Sequence, residues 1–348
     1  MATGKQTKNG KAFEYACAYV LWNKYSEYSQ VFLQESPQLA TARNAFQGLE
    51  AESRQRYLKG AEAAVKVLHE LEPRLSKRMS PMTICLQADS AGIAGDVRDV
   101  ICMRAKDGWE IGLSCKHNHD AVKHSRLSDQ IDFGEEWFGH KCSSVYFDRV
   151  RAVFGSLRKL MAESAVPPLW NDIPDKTATC YIPVLEAFLD EVRRLDKAYP
   201  GEIPASLVKY LIGRNDFYKI IMDENKGYTK VEVFNMNGTL NKSDGSRKPR
   251  LDSCKITLPT RFYWMGFKEN SNNTVLIVCD KGWNISFRIH NANSKVEPSL
   301  KFDVTLEAVP NSIVAFWEIW KPLDDVSEQP WEDQWVAENG VYGTGKKR

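Results

Sequence analysis

The sequence carries almost no net charge: 47 Lys and Arg stand against 45 Asp and Glu, leaving +2. Overall balance therefore signals no nucleic-acid partner, and any surface for DNA must come from local clustering of Lys and Arg. The eight cysteines, at 17, 85, 102, 115, 142, 180, 254 and 279, contain no CxxC spacing. Several sit inside apolar strand patterns and read as reduced core residues. The amino-terminal MATGKQTKNGK has no apolar h-region, and no run approaches the ~18 apolar residues of a membrane helix, so a cytoplasmic protein is expected. The sequons at Asn237 and Asn284 then carry no glycosylation meaning. What is present is an ordinary globular composition, 43% hydrophobic and 26% charged over 348 residues, enough for one large domain or two small ones.

The densest chemistry lies at 95–123, GDVRDVICMRAKDGWEIGLSCKHNHDAVK. Residues 99–104 read as a short strand, 105–108 as a turn and 109–116 as a second strand. Asp107 and Gly108 supply the turn because both tolerate the positive φ of tight hairpin loops. With Arg104 opposite Trp109, antiparallel counting places Asp99 across from Ser114. Side chains two apart share a face, so Ser114 and Lys116 point to the side where Asp99 projects. A carboxylate there can hold a divalent metal, and an ammonium beside it can orient a water or lower its pKa for attack on phosphorus. Asp96 differs from Asp99 in parity along an extended chain and stands as the alternative, as a second ligand or a cap. Glu110 shares the parity of Ser114 but lies about 13 Å away along an extended strand, which makes it a reserve ligand.

Beyond Lys116 come His117, Asn118, His119, Lys123, His124 and Arg126, a polar, cationic stretch suited to phosphate contacts. A zinc site from Cys115, His117, His119 and His124 is disfavoured, because alternate residues of one strand rarely converge on a tetrahedral ion without a second ligand pair. A one-metal HNH hairpin would need its histidines and asparagine more widely spaced.

The remaining chain reads as helices at 12–28, 37–48 and 50–72, a strand at 82–88, and helices at 125–139, 142–165, 181–198 and 203–211. From 228 the periodicity changes to strands at 229–234, 261–267, 274–280, 283–290, 302–309 and 313–320. Glu14 interrupts the apolar face of the first helix. It is either a solvated flank residue or a carboxylate aimed at something that needs charge, since burying it unpaired is costly. The loop 241–250 carries Lys242, Arg247, Lys248 and Arg250 and suits a DNA clamp or a solvated loop equally. Over 283–290, Trp283, Ile285, Phe287 and Ile289 alternate with Asn284, Ser286, Arg288 and His290, followed by Asn291, Asn293 and Lys295. Arginine pairs well with guanine O6 and N7, so a polar strand face carrying Arg288 suits a G/C-rich target.

The wording WEIGLSCKHNHDAVKHSRLS, with GDVRDV before it, KAFEY near the amino terminus and SFRIHNANSKVEPSLKFDVTL near the carboxyl terminus, resembles the HaeIII family of type II restriction endonucleases. The likeness runs in order, without a missing block, from about residue 10 to about residue 320. It implies a magnesium-dependent endonuclease that cuts both strands of duplex DNA, with GGCC as the expected target and 5′-phosphate products. It is compatible with a homodimer on the palindrome, and with a cognate methyltransferase acting on the same site without a stable complex. The hairpin resembles the active site of PD-(D/E)XK nucleases, with a departure at Ser114, where that superfamily usually carries its second acid. The likeness implies that Asp99, Glu14 and the Cys115 carbonyl hold the metal and that Lys116 orients the attacking water. Glu110, Asp132 and Asp96 are the alternatives to Glu14. Arg288, His290, Asn291, Asn293, Lys295, Lys123, His124, Arg126, His117 and Asn118 are the expected DNA contacts.

The expected fold is α/β, a PD-(D/E)XK core of mixed sheet flanked by helices with a β-rich carboxyl-terminal recognition half. The expected organisation is a helical segment at 1–80, a catalytic core at 81–225, a recognition region at 226–322 and a tail at 323–348. The sequence leaves two rivals: a structure- or mismatch-specific repair nuclease with the same hairpin, and a catalytically silent DNA reader.

Overall fold

The apolar stripes of the amino-terminal third fold as helices α1 (Lys5–Tyr25), α2 (Pro37–Gln47) and α3 (Ala51–Leu71), in a computed structural model that describes residues 5–77, 80–88, 95–118, 125–245 and 247–321. α2 starts where Ser36 Oγ accepts the Leu39 N–H at 3.1 Å and Pro37 occupies the first turn, a cap worth about 1 kcal/mol. α1 buries Phe13, Ala16, Cys17, Val20 and Leu21 completely or nearly so. Each of the large side chains among them contributes roughly 2 kcal/mol of transfer free energy.

These helices pack on a seven-stranded mixed sheet of β1 (Val31–Leu33), β2 (Met82–Leu86), β3 (Val100–Arg104), β4 (Trp109–His117), β6 (Phe217–Asp223), β7 (Tyr228–Phe234) and β12 (Ala315–Ile319). The strand order is β1-β2-β3-β4-β6-β7-β12, with β1/β2 and β4/β6 parallel and the other neighbours antiparallel. The hairpin register is the one counted from the sequence: Arg104 faces Trp109, Val100 faces Leu113, and the Asp99 N–H donates to the Leu113 carbonyl. Gly108 closes the turn at φ +58, a left-handed conformation that glycine adopts without a Cβ penalty.

The division into compact units cuts across the boundaries read from the sequence. The first unit comprises Met1–Asp120, Asn215–Ile256 and Ser312–Arg348, and the second comprises Ala121–Arg214 and Thr257–Asn311. The β-rich stretch 226–322 is thus shared: β7 and β12 complete the first sheet, while the strands between them belong elsewhere. The second unit holds β5 (Arg126–Leu127), α4 (Phe133–Phe138), α5 (Ser144–Glu163), α6 (Ile182–Ala198) and α7 (Ile203–Ile212), with β8 (Phe262–Phe267), β9 (Thr274–Cys279), β10 (Asn284–His290) and β11 (Leu300–Ala308). Its antiparallel sheet runs β5-β11-β10-β9-β8 around an aromatic core of Phe133, Trp137, Phe188, Phe287 and Phe302.

Two elements differ from expectation. Residues 125–139 are not one helix: Leu127 pairs with Leu300 on β11, and the helix starts only after Asp132 accepts the Glu135 N–H at 3.0 Å. β6 has no counterpart among the expected strands, and it lies at the centre of the first sheet. All eight cysteines are free. Among the described residues no helix is long and apolar enough to cross a membrane.

A buried acid at the end of α3 gives the first unit a pH-dependent stability. Glu72 is 1% exposed and accepts hydrogen bonds from Tyr218 Oη at 2.6 Å and the Asn241 N–H at 2.7 Å. Burial outweighs both bonds and pushes its pKa from 4.5 up to about 7. A group raised in the folded state contributes stability that is fully present below its unfolded pKa and lost as pH rises through the folded one. Urea unfolding at pH 5 and pH 8 is therefore expected to show Glu72→Gln losing less stability than wild type, by on the order of 3 kcal/mol. Equal pH slopes for the two proteins would remove Glu72 as the cause.

Candidate active site

Asp99 stands just before β3, at the point where β3 and β4 part. Its Oδ2 accepts the Cys115 N–H at 2.7 Å and lies 3.4 Å from both Ser114 Oγ and Lys116 Nζ. The expected convergence of Asp99, Ser114 and Lys116 on one face is therefore present. Burial works to lower the pKa of Lys116, but the negative charge of Asp99 and the groups at Cys115 and Glu14 outweigh it and leave the ammonium above its ordinary value. Lys116 is thus a cation and a hydrogen-bond donor only.

Glu14 is 6% exposed on α1, where Lys11 Nζ donates to its Oε2 at 3.0 Å. Burial first, and the charge of Asp99 second, push its pKa from 4.5 up to about 7. The bland reading of Glu14 as a solvated flank residue is excluded by this burial. A buried carboxylate whose charged form is disfavoured by burial and by a neighbouring negative charge is a liability unless a cation relieves it.

The competing carboxylates are engaged elsewhere. Arg98 donates to Asp96 through Nε and Nη2, both at 2.8 Å, and to Glu110 through Nη1 at 2.7 Å. The hydrogen bonds from Arg98 hold the Asp96 pKa below its ordinary value although burial opposes them. The stem of Arg98 crosses Gly112, where a Cβ would approach its Cδ to 2.0 Å, so the glycine is required for this clasp. Asp132 caps α4 in the second unit, accepting the N–H groups of Glu135 and Cys142.

Sequence reasoning missed a polar row on the same sheet face. Ser114 pairs with Lys219 on β6, and Lys219 pairs with Glu232 on β7, so all three side chains project to one side with Asp99. Glu232 holds Lys219 at 3.7 Å and Lys230 at 2.9 Å. The row is invisible without β6, though Lys219 within an apolar run was the signal available.

The expected DNA contacts are distributed unevenly. His117 is turned to the opposite face of β4 from Lys116: its ring stacks on Tyr57 at 4.9 Å and its Nε2 lies 3.0 Å from Glu224 Oε2. Asn118 accepts the Glu224 N–H at 2.9 Å. Both are thereby committed within the protein and not aimed at phosphates. In the second unit Arg288 is exposed, with Nη2 2.5 Å from Asp303 Oδ2, and His290 Nε2 lies 3.2 Å from Asp303 Oδ1. Asn291 accepts from Tyr181 Oη and donates to the Asn293 carbonyl, Asn293 donates to Glu297, and Arg126 donates to Glu297 and Ser299. Lys295 forms an antiparallel bridge with Leu169 and its side chain is exposed. Lys123 and His124, with His119 of the zinc alternative and the tail at 323–348, lie outside the described residues.

A model of the HaeIII restriction endonuclease matches residues 10–310. The chain belongs to the HaeIII restriction endonuclease family. The Type II restriction enzyme HaeIII of Haemophilus aegyptius is 37% identical over 331 residues, which cover 95% of this chain and 100% of that protein. No solved structure matches the chain. As a member of the HaeIII family the protein is a type II site-specific deoxyribonuclease acting on double-stranded DNA. Enzymes of this type generally use divalent metal ions. The donor set fits such an ion sparingly. Among the described residues no group of three or more His, Cys, Asp or Glu side chains gathers, but the charge of Asp99 reaches the buried Glu14. Two carboxylates with waters and substrate phosphate suffice for a small hard cation.

Proposed function

We propose that the protein cuts the duplex sequence GGCC by magnesium-dependent hydrolysis, at a PD-(D/E)XK-type site on the first unit. The observation that carries this reading is the meeting of Asp99, Ser114 and Lys116 on one sheet face, with buried Glu14 within reach of their charges. Asp99, Glu14 and the Cys115 carbonyl would hold the ion. When bound, it supplies positive charge to the phosphate oxygens and acidifies water. The Cys115 thiol takes no part, being hydrogen-bonded to Cys17 and buried, which together push its pKa well up. Lys116 donates to the attacking water and offsets charge that develops on the phosphate. The water oxygen bonds to phosphorus as the P–O3′ bond breaks; the water's proton passes to solvent, and O3′ takes one back. A 5′-phosphate and a 3′-hydroxyl remain. Digesting a plasmid with magnesium and sequencing the ends tests this: cuts confined to GGCC with 5′-phosphates support it, and cuts at junctions or mismatches contradict it.

The recognition side of the proposal rests on Arg288. Asp303 grips its guanidinium from one side, which orients the remaining N–H groups for a bidentate guanine contact. Two copies of the strand face would meet the two half-sites of the palindrome through a homodimer. Arg288→Ala is expected to weaken binding to GGCC duplex by ~1–3 kcal/mol and to leave unrelated duplex nearly unchanged. Affinities for both duplexes across a salt series check this, because loss of a phosphate contact instead weakens both alike and lowers the salt slope.

A further inference from the structure

Among the described residues, the half of β4 that carries Lys116 has a strand partner on one side only. From Ser114 onward the strand pairs with β6, through Lys116 with Ile221 and His117 with Met222. On the β3 side its ladder stops at Leu113 opposite Val100, and the Cys115 N–H turns to Asp99 instead. An ammonium that must sit within about 0.5 Å of its working position therefore projects from a strand end beyond the last described rung of the β3 ladder. Alternation sends the next side chain, His117, to the reverse face, and there it is fastened. Its ring stacks on Tyr57 of α3 at 4.9 Å with 27° between planes, its side chain is 7% exposed, and Nε2 meets Glu224 Oε2 at 3.0 Å.

Glu224 is itself fixed from two directions. Arg56 Nε, next to Tyr57 on α3, donates to Glu224 Oε1 at 2.5 Å. The Glu224 N–H donates to Asn118 Oδ1 at 2.9 Å, and the Asn118 N–H donates to the Met222 carbonyl at 2.9 Å. Asn118 holds φ +51 to make this junction, a left-handed conformation that asparagine tolerates better than most residues. The result is a closed path from α3 through Glu224 and His117 to the backbone of Lys116, and a second path through Asn118 to the end of the same strand.

We propose that His117, Glu224 and Arg56 are positioning residues for the hydrolysis, anchoring the end of β4 from its reverse face so that Lys116 stays aimed at the scissile phosphate. The inference rests on the assignment of Lys116 made above and deepens it. None of the three touches the DNA; they act through the strand, and so alter the chemical step and not the docking of the duplex.

The test measures three quantities on the full chain: the single-turnover cleavage rate of a GGCC duplex, the affinity for that duplex without metal, and the melting temperature. Glu224→Gln and His117→Ala are expected to lower the rate at least tenfold while affinity stays within twofold. His117→Gln, which keeps a donor for Glu224, is expected to recover the rate to within about threefold of wild type. Should His117→Ala fail to fold, Arg56→Met removes the same anchor from the α3 side and is expected to give the same split. Wild-type rates in Glu224→Gln and Arg56→Met overturn the inference. So does an affinity loss as large as the rate loss, which would make His117 a phosphate contact. Lys116→Ala serves as the control: if it cuts normally the site assignment itself fails, whereas an inactive Lys116→Ala beside fully active anchor variants sinks the anchor alone.

Discussion

Replacing Lys116 with alanine is expected to lower the cleavage rate by roughly a thousandfold or more while leaving metal-free affinity for the target duplex within a few-fold. The ammonium lies 3.4 Å from Asp99 and keeps its charge because the carboxylates around it outweigh burial. It is therefore placed to act where negative charge develops, and one cation among many phosphate contacts contributes little to docking. Single-turnover kinetics with saturating enzyme separate the two effects. Activity within tenfold of wild type would remove Lys116 from the chemistry.

Glu14→Gln carries the second large effect. The amide preserves shape and the acceptor for Lys11, but it cannot supply the second negative charge that Ser114 does not provide. A loss of about a hundredfold or more in cleavage is expected, with the melting temperature unchanged or raised, because neutralising a buried carboxylate removes a desolvation cost. Asp99→Asn should behave alike in activity. A Glu14→Gln enzyme that cuts normally would return Glu14 to a packing role; Asp96 and Glu110 would then have to act while bound to Arg98, and Asp132 while capping α4.

The hairpin was legible because every local signal agreed: Asp107-Gly108 at the turn, β-rich flanks, and a period of two that fixed Asp99 opposite Ser114. The three amino-terminal helices were legible for the same reason. β6 was not, since FYKIIM is apolar but for Lys219 and a strand buried on both faces loses the alternation that marks an exposed one. Missing it hid the parallel pairing of β4, and with it Lys219 beside Ser114. Arg98 was passed over because its role depends on a glycine one strand away, at Gly112, which no linear spacing reveals. His117 looked like a phosphate ligand in the sequence, where a polar run after the catalytic lysine is all one sees; only α3 packing on the sheet shows that Tyr57 and Glu224 claim it. Glu14 had two readings until its burial was known.

Glu14 and the Asp99 to Lys116 face are proposed to hold the divalent ion together at the site of hydrolysis. Substituting iron(II) for magnesium on the DNA complex, with ascorbate and peroxide present, generates hydroxyl radicals at the ion and cuts the nearest polypeptide. Fragment ends mapped by mass spectrometry are expected to cluster beside Glu14 and within 99–116, and to vanish in Asp99→Asn. Fragments clustering instead around Asp132, or along the His290 strand, would contradict the account.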